Sequence, residues 1–128
     1  MSESLTTKAY LKELRLAPRK VALVAKLVRG RTVEDALVIL AHTPKRAAKP
    51  LSKVIASAKA NAINNFNLKA NSLVIDTLSV TAGARLKRFR PVSRGMAHPY
   101  QRKTSNILVV VRGEAKPAAK AKAEKESK

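Results

Sequence analysis

Residues 85–103 read Arg-Leu-Lys-Arg-Phe-Arg-Pro-Val-Ser-Arg-Gly-Met-Ala-His-Pro-Tyr-Gln-Arg-Lys. Seven of these nineteen are Lys or Arg, and no acid occurs from residue 77 to residue 113. The chemistry open to such a segment is ionic. Ammonium and guanidinium groups pair with phosphate oxygens and release counterions. Arg can also bridge phosphates bidentately or stack on unpaired bases. The candidates here are Arg85, Lys87, Arg88, Arg90, Arg94, Arg102 and Lys103. A second acid-free stretch, 43–75, holds six more cations. Among them Lys49, Lys53 and Lys59 fall off the apolar stripe of a helix. Arg15, Arg19 and Lys20 form a third group. The plain alternative for the helix cations is a solvated face; beside so basic a neighbour, one continuous basic stripe is favoured.

Residues suited to catalysis are not arranged for it. His42 and His98 have no nearby cysteine or paired carboxylate. His42 reads as a helix-end residue, and His98 as a contact residue at the tip of the basic segment. Asp76 and the Glu34-Asp35 pair lack the spacing of an acid–base or metal-binding set. No Gly-rich phosphate loop is present. Cysteine is absent, which excludes disulfides and thiolate metal sites. The expectation is a protein that is not an enzyme and has no metal or cofactor.

The totals agree with an ionic role. Lys and Arg number 27 against 8 Asp and Glu, for a net charge of +19. Self-repulsion on that scale opposes a compact state and calls for a polyanionic partner, a nucleic acid or an anionic surface. No apolar run approaches the ~20 residues of a membrane span. The N-terminal residues lack the apolar stretch of a secretory signal, so a cytoplasmic location is expected.

Several elements must position the cations. Loose alternation over 9–16 reads as a half-buried strand. Pro18 suits the first position of a helix over 18–29, with Gly30 as its stop. Thr32 caps a second helix, with Glu34 and Asp35 in its first turn, and Thr43-Pro44 ends it. Leu51, Val54, Ile55, Ala58 and Ala62 mark a third helix ending near Asn64. Pro50 would kink that helix if it began at Lys45, or fit it if it began near Lys49. Residues 64–67 read as a loop. Residues 73–81 and 104–112 read as strands, the second apolar enough to be covered on both faces. Residues 114–128, rich in Ala, Lys and Glu, are expected to be disordered in isolation.

The basic segment lies between the last two strands. It is either a disordered loop or a β-hairpin arm, at about 82–105, with its tip at Arg94, Gly95, Met96, Ala97 and His98. Nine or so residues per side would reach about 30 Å. A two-stranded ribbon is marginal alone in water. An arm so poor in apolar residues would take its order from a phosphate-rich wall.

Three blocks carry a family resemblance. They are Ala-Pro-Arg-Lys-Val-Ala-Leu-Val-Ala-Lys-Leu-Val-Arg-Gly at 17–30, Ser-Ala-Lys-Ala-Asn-Ala-Ile-Asn-Asn at 57–65, and Gly83 through Leu86-Lys87-Arg88 and Pro91 to Gly95, followed by Arg-Lys-Thr-Ser-Asn-Ile at 102–107. In this order they resemble the family of the bacterial large-subunit ribosomal protein numbered twenty-two, over roughly residues 9–112. The resemblance implies an α+β fold: a small body of about three helices on a short antiparallel sheet, with a long protruding β-hairpin. It implies one domain over 1–113 that binds large-subunit ribosomal RNA, acts early in assembly and contacts neighbouring ribosomal proteins. It further implies a hairpin lining the nascent-peptide exit tunnel near the macrolide-binding region, its tip beside the nascent polypeptide, and no homo-oligomer. The chain departs from the family pattern at Ala22, Lys26, Asn106 and across 96–100.

Two other classes share some of these features. A DNA-bending protein can also be small, basic and armed with a β-ribbon, with Pro91 or Pro99 as a wedge; that class often needs a dimer. A membrane-surface protein needs one helix with apolar and basic faces. Here the cations concentrate on a ribbon.

Overall fold

Two strands of 18 residues each, paired antiparallel, are the longest strands among the described residues. The computed structural model describes residues 4–116. In chain order it contains β1 (Ser4–Leu14), α1 (Pro18–Val28), α2 (Val33–His42), α3 (Ala48–Phe66), a 3₁₀ turn (Ala70–Ser72), β2 (Val74–Pro91), a second 3₁₀ turn (Ser93–Gly95) and β3 (Ala97–Glu114). The sheet is antiparallel with the order β1-β3-β2. The fold is α+β, three helices on a three-stranded sheet, with β2 and β3 continuing outward as a hairpin.

Local sequence accounts for the helix ends. Pro18 opens α1, where its missing N–H costs nothing. The Thr32 hydroxyl accepts from the Asp35 N–H at 3.3 Å to cap α2. Pro50 lies in the first turn of α3, so the helix begins without a kink. The 64–67 loop is corrected: α3 continues through Asn64 and Asn65 to Phe66. Only Asn67 leaves the helix, in the left-handed conformation at φ 50°, and the Leu68 N–H reaches back to the Ala62 carbonyl at 3.1 Å. Asparagine tolerates that conformation better than most side chains.

The core lies between the helices and one face of the sheet. Val21, Val28, Val33, Leu51, Ile55, Ile75, Ile107, Val109 and Val111 are completely or almost completely buried. A bulge between Ile75 and Thr77 inserts Asp76, so Ile75 and Leu78 both face the core although three positions apart. The expectation that 104–112 is covered on both faces is corrected. Ile107, Val109 and Val111 are buried, while Leu108 and Val110 are half-buried on the side that carries no helix. The centre of this sheet has neighbours on both edges but helices on one face only.

Strand ends also differ from the sequence reading. β1 starts at Ser4, because its first residues pair with 111–114 of β3. β2 runs on to Pro91 and β3 begins at Ala97. Of residues 114–128, Glu114 closes β3, Ala115 bridges Leu68, and the Lys116 N–H donates to the Asn67 carbonyl. Residues 117–128 lie outside the described residues.

Two polar details have measurable consequences. The Arg29 guanidinium donates from Nε and Nη2 to the Leu78 carbonyl, at 3.2 and 2.8 Å, tying α1 to β2. Arg29→Ala should lower stability by about 1–2 kcal/mol in a denaturant titration, and Arg29→Lys should recover little because it lacks the fork. Ser105 is fully buried, and its hydroxyl has no partner. Removing an unsatisfied polar atom is favourable by about 1 kcal/mol or more, so Ser105→Ala should hold or raise the melting temperature.

Candidate nucleic-acid interface

The hairpin beyond the body pairs Arg85 with Lys103, Leu86 with Arg102, Lys87 with Gln101, Arg88 with Tyr100, Phe89 with Pro99, Arg90 with His98 and Pro91 with Ala97. Alternation along a strand sorts these onto two faces. Arg85, Lys87 and Lys103 share one face with Phe89. Arg88, Arg90 and Arg102 share the other with Tyr100 and His98. The arm is therefore cationic on both sides. Every residue from 87 to 103 is exposed except the half-buried Val92.

Such a ribbon gains little from itself. Arg85 faces Lys103 directly across the ladder, and like charges in that position repel. Along the arm, aromatic stabilisation comes from the Arg90 guanidinium, 5.2 Å from the Tyr100 ring centre. Phe89 and Tyr100 stand on opposite faces and do not pack on each other.

The chain turns at 92–96, two residues before the position read from sequence. The Val92 N–H donates to the Met96 carbonyl at 3.0 Å, and Arg94 and Gly95 take left-handed φ values of 61° and 65°. Glycine adopts that conformation freely, and Arg94 is carried into it by the turn. Ala97 and His98 belong to the returning strand, beside the turn.

At its root the arm is fixed to the body. A bulge falls between Ala82 and Arg85. A Cβ on Gly83 would lie 2.5 Å from the Thr104 hydroxyl oxygen, which itself donates to the Ala84 carbonyl at 2.5 Å. Arg19, Lys20, Arg85 and Lys103 line a depression of about 340 Å³ around this root. Arg15, Lys20, Arg46, Arg102 and Lys103 line another of about 350 Å³. Arg15, Arg19 and Lys20 are thus brought to the base of the arm.

Arg46 does not stand out in the sequence, yet it joins the regions. It lines the second depression and also a groove with Lys49 and Lys53 of α3. Its acid-free surroundings over 43–75 are the one signal that could have found it. Lys59 is set apart: its Nζ lies 3.9 Å from Glu34 on α2. The other ion pairs among the described residues are Lys69–Glu114 and Arg112–Asp76, both at 3.8 Å. None of the remaining twelve sequence-selected cations has a carboxylate within ion-pair distance among the described residues. His42 is the last residue of α2. Among the described residues no group of three or more His, Cys, Asp or Glu is placed to hold a metal ion, and no helix is long and apolar enough to cross a membrane.

Comparison with known proteins adds a family. Residues 9–112 match the family model described as Ribosomal protein L22p/L17e. Proteins named large ribosomal subunit protein uL22 from Lactobacillus helveticus, Lactobacillus gasseri and Lactobacillus johnsonii are each 45% identical over 112 residues. Those alignments cover 87% of this chain and 96% of each relative. With the sequence blocks, the α+β body and the basic hairpin in agreement, the chain belongs to the ribosomal protein L22p/L17e family.

Proposed function

We propose that this protein is a structural constituent of the large ribosomal subunit that binds ribosomal RNA through its arm, arm root and the α3 cations. The observation that carries the reading is the two-faced charge of the hairpin. A ribbon meant to lie on a surface needs cations on one side. Three cations on each face, with Arg94 at the turn, suit a protrusion surrounded by phosphate. Specificity then comes from the shape of folded RNA rather than from a base code. The family supports the finer parts of the proposal. The protein joins the subunit early, sits against neighbouring ribosomal proteins and works in the cytoplasm on the ribosome. Its hairpin lines the peptide exit tunnel near the macrolide-binding region, with the turn and the adjoining Ala97 and His98 beside the nascent polypeptide. It acts as a single copy, without catalysis.

The test is binding to transcribed large-subunit ribosomal RNA at rising salt. If about ten cations engage, log affinity should fall against log salt with a slope of about −7 to −9. Folded ribosomal RNA should displace the protein from duplex DNA at matched salt. Preference for the duplex would overturn the proposal.

A further inference from the structure

The chain has four aromatic residues, two Tyr and two Phe, and all four are exposed. Two of the rings already hold a cation. The Lys12 Nζ lies 5.6 Å from the Tyr10 ring centre, and the Arg90 guanidinium 5.2 Å from that of Tyr100. Phe89, on the arm, is the most exposed of the four at 72%, and no cation stands over its ring among the described residues. Aromatic rings stabilise a fold mainly through the area they bury, and Phe89 buries little.

The ladder sets what surrounds this ring. Phe89 is paired with Pro99; toward the root come Lys87 with Gln101 and Arg85 with Lys103, and toward the turn Pro91 with Ala97. This face of the arm is therefore apolar near the turn and cationic near the root. The opposite face carries an Arg on every rung, in the pairs Leu86–Arg102, Arg88–Tyr100 and Arg90–His98. A depression of about 560 Å³ lies against Phe89, and five of its seven lining residues, Lys87, Phe89, Pro99, Gln101 and Lys103, belong to the Phe89 face. No acidic side chain lines it. Its size falls in the range of sites that hold a small organic group. An apolar peptide segment would leave Lys87 and Lys103 unpartnered. Phosphate alone would leave the ring and Pro99 unused. A nucleotide uses both, the base on the ring and the phosphates on the lysines.

We propose that Phe89 receives one unstacked base of ribosomal RNA, with Pro99 beside it and the flanking phosphates on Lys87 and Lys103. The inference rests on the RNA-binding reading above and deepens it, because the two faces of the arm then make different contacts. The Tyr100 face is purely ionic, its ring already held by Arg90; the Phe89 face joins ionic contact to base stacking. Phe89 supplies a π-face rather than a charge, so its contribution is insensitive to salt. Lys87 contributes a counterion-releasing contact, so its contribution is salt-dependent. Stacking accepts any base, in keeping with recognition by RNA shape.

The test uses the full chain and transcribed large-subunit ribosomal RNA. Phe89→Ala should weaken binding by about 5- to 150-fold, the range for losing one stacked base, with the salt slope unchanged. Phe89→Tyr should bind like the parent. Phe89→Leu keeps apolar bulk without a π-face and should lose nearly as much as alanine. Lys87→Gln should reduce the slope by about one unit. Chemical footprinting should show one base protected by the parent and Phe89→Tyr proteins and released by Phe89→Ala. The RNA-free melt of Phe89→Ala should match that of the parent. Because the chain has no cysteine, an aryl azide can be attached uniquely through Gln101→Cys. In assembled large subunits carrying a stalled nascent chain it should crosslink to RNA. Unchanged affinity and footprint for Phe89→Ala, parent-like binding by Phe89→Leu, a large drop in the RNA-free melt, or a crosslink only to protein overturns the proposal. Those outcomes leave ionic RNA binding by the arm intact. Failure of the parent protein to bind the RNA would instead sink the broader reading.

Discussion

Changing Arg85, Lys87, Arg88, Arg90, Arg102 and Lys103 together to glutamine should weaken binding to large-subunit ribosomal RNA by about a thousandfold or more at near-physiological salt. The same change should flatten the salt dependence by about four to five units, because each cation taken off the phosphates abolishes the release of roughly 0.7–0.9 of a counterion. The thermal melt should stay the same or rise slightly. These side chains are exposed, none has a carboxylate partner among the described residues, and the Arg85–Lys103 pair repels across the ladder. Deleting Lys87 and Arg88 alone should likewise shift the turn of the arm while leaving the body folded, as circular dichroism would show. A large drop in melting temperature for either variant would mean that arm and body are not energetically separate.

Ile55→Ala should have the opposite profile, with a large cost in stability and a secondary effect on RNA. Ile55 is fully buried at the middle of α3, the helix that packs against β1, β3 and α2. No aromatic residue stands in the core to fill the space, and the neighbouring Val54, Ala58 and Leu51 are held by the same helix. Truncation therefore leaves a cavity, and the expected loss is about 2–5 kcal/mol in urea titration. That is a large part of the roughly 5–15 kcal/mol typical of a domain. Saturating ribosomal RNA should restore part of the loss, as any ligand confined to the folded state does. A change below about 1 kcal/mol would place the core elsewhere.

Much of this architecture is written in local pattern. The apolar spacing of 51, 54, 55, 58 and 62, the Thr32 cap and Pro18 at a helix start are signals that neighbouring residues enforce by themselves. What the sequence did not reveal is non-local. Residues 4–8 are mostly polar and become a strand because 110–114 lie opposite them. The run 107–111 looks symmetrical in hydrophobicity, and nothing in it says that helices will cover only one face. Asn64 and Asn65 resemble a loop by composition, but the reversal belongs to Asn67. The Asp76 bulge brings Ile75 and Leu78 to one side, which alternation alone would not allow. At the interface, the cations of the arm were legible because an acid-free run of that length is unusual in a folded domain. Their division into two faces required the register. Lys59 read as an interface cation from its helix position; its pairing with Glu34 depends on how α2 meets α3. Arg46 was invisible for the same reason, since it joins the arm root and the α3 cations only when distant segments close around it.

Amide hydrogen exchange on the purified protein, with and without large-subunit ribosomal RNA, reads the dependence of the hairpin on its partner most directly. In the RNA-free protein, amides over 85–103 should exchange orders of magnitude faster than those of α3 and of 107–111. On binding RNA, the hairpin should gain protection while the body changes little. Strong protection over 85–103 without RNA would contradict the account, because it would show that the ribbon holds its own order.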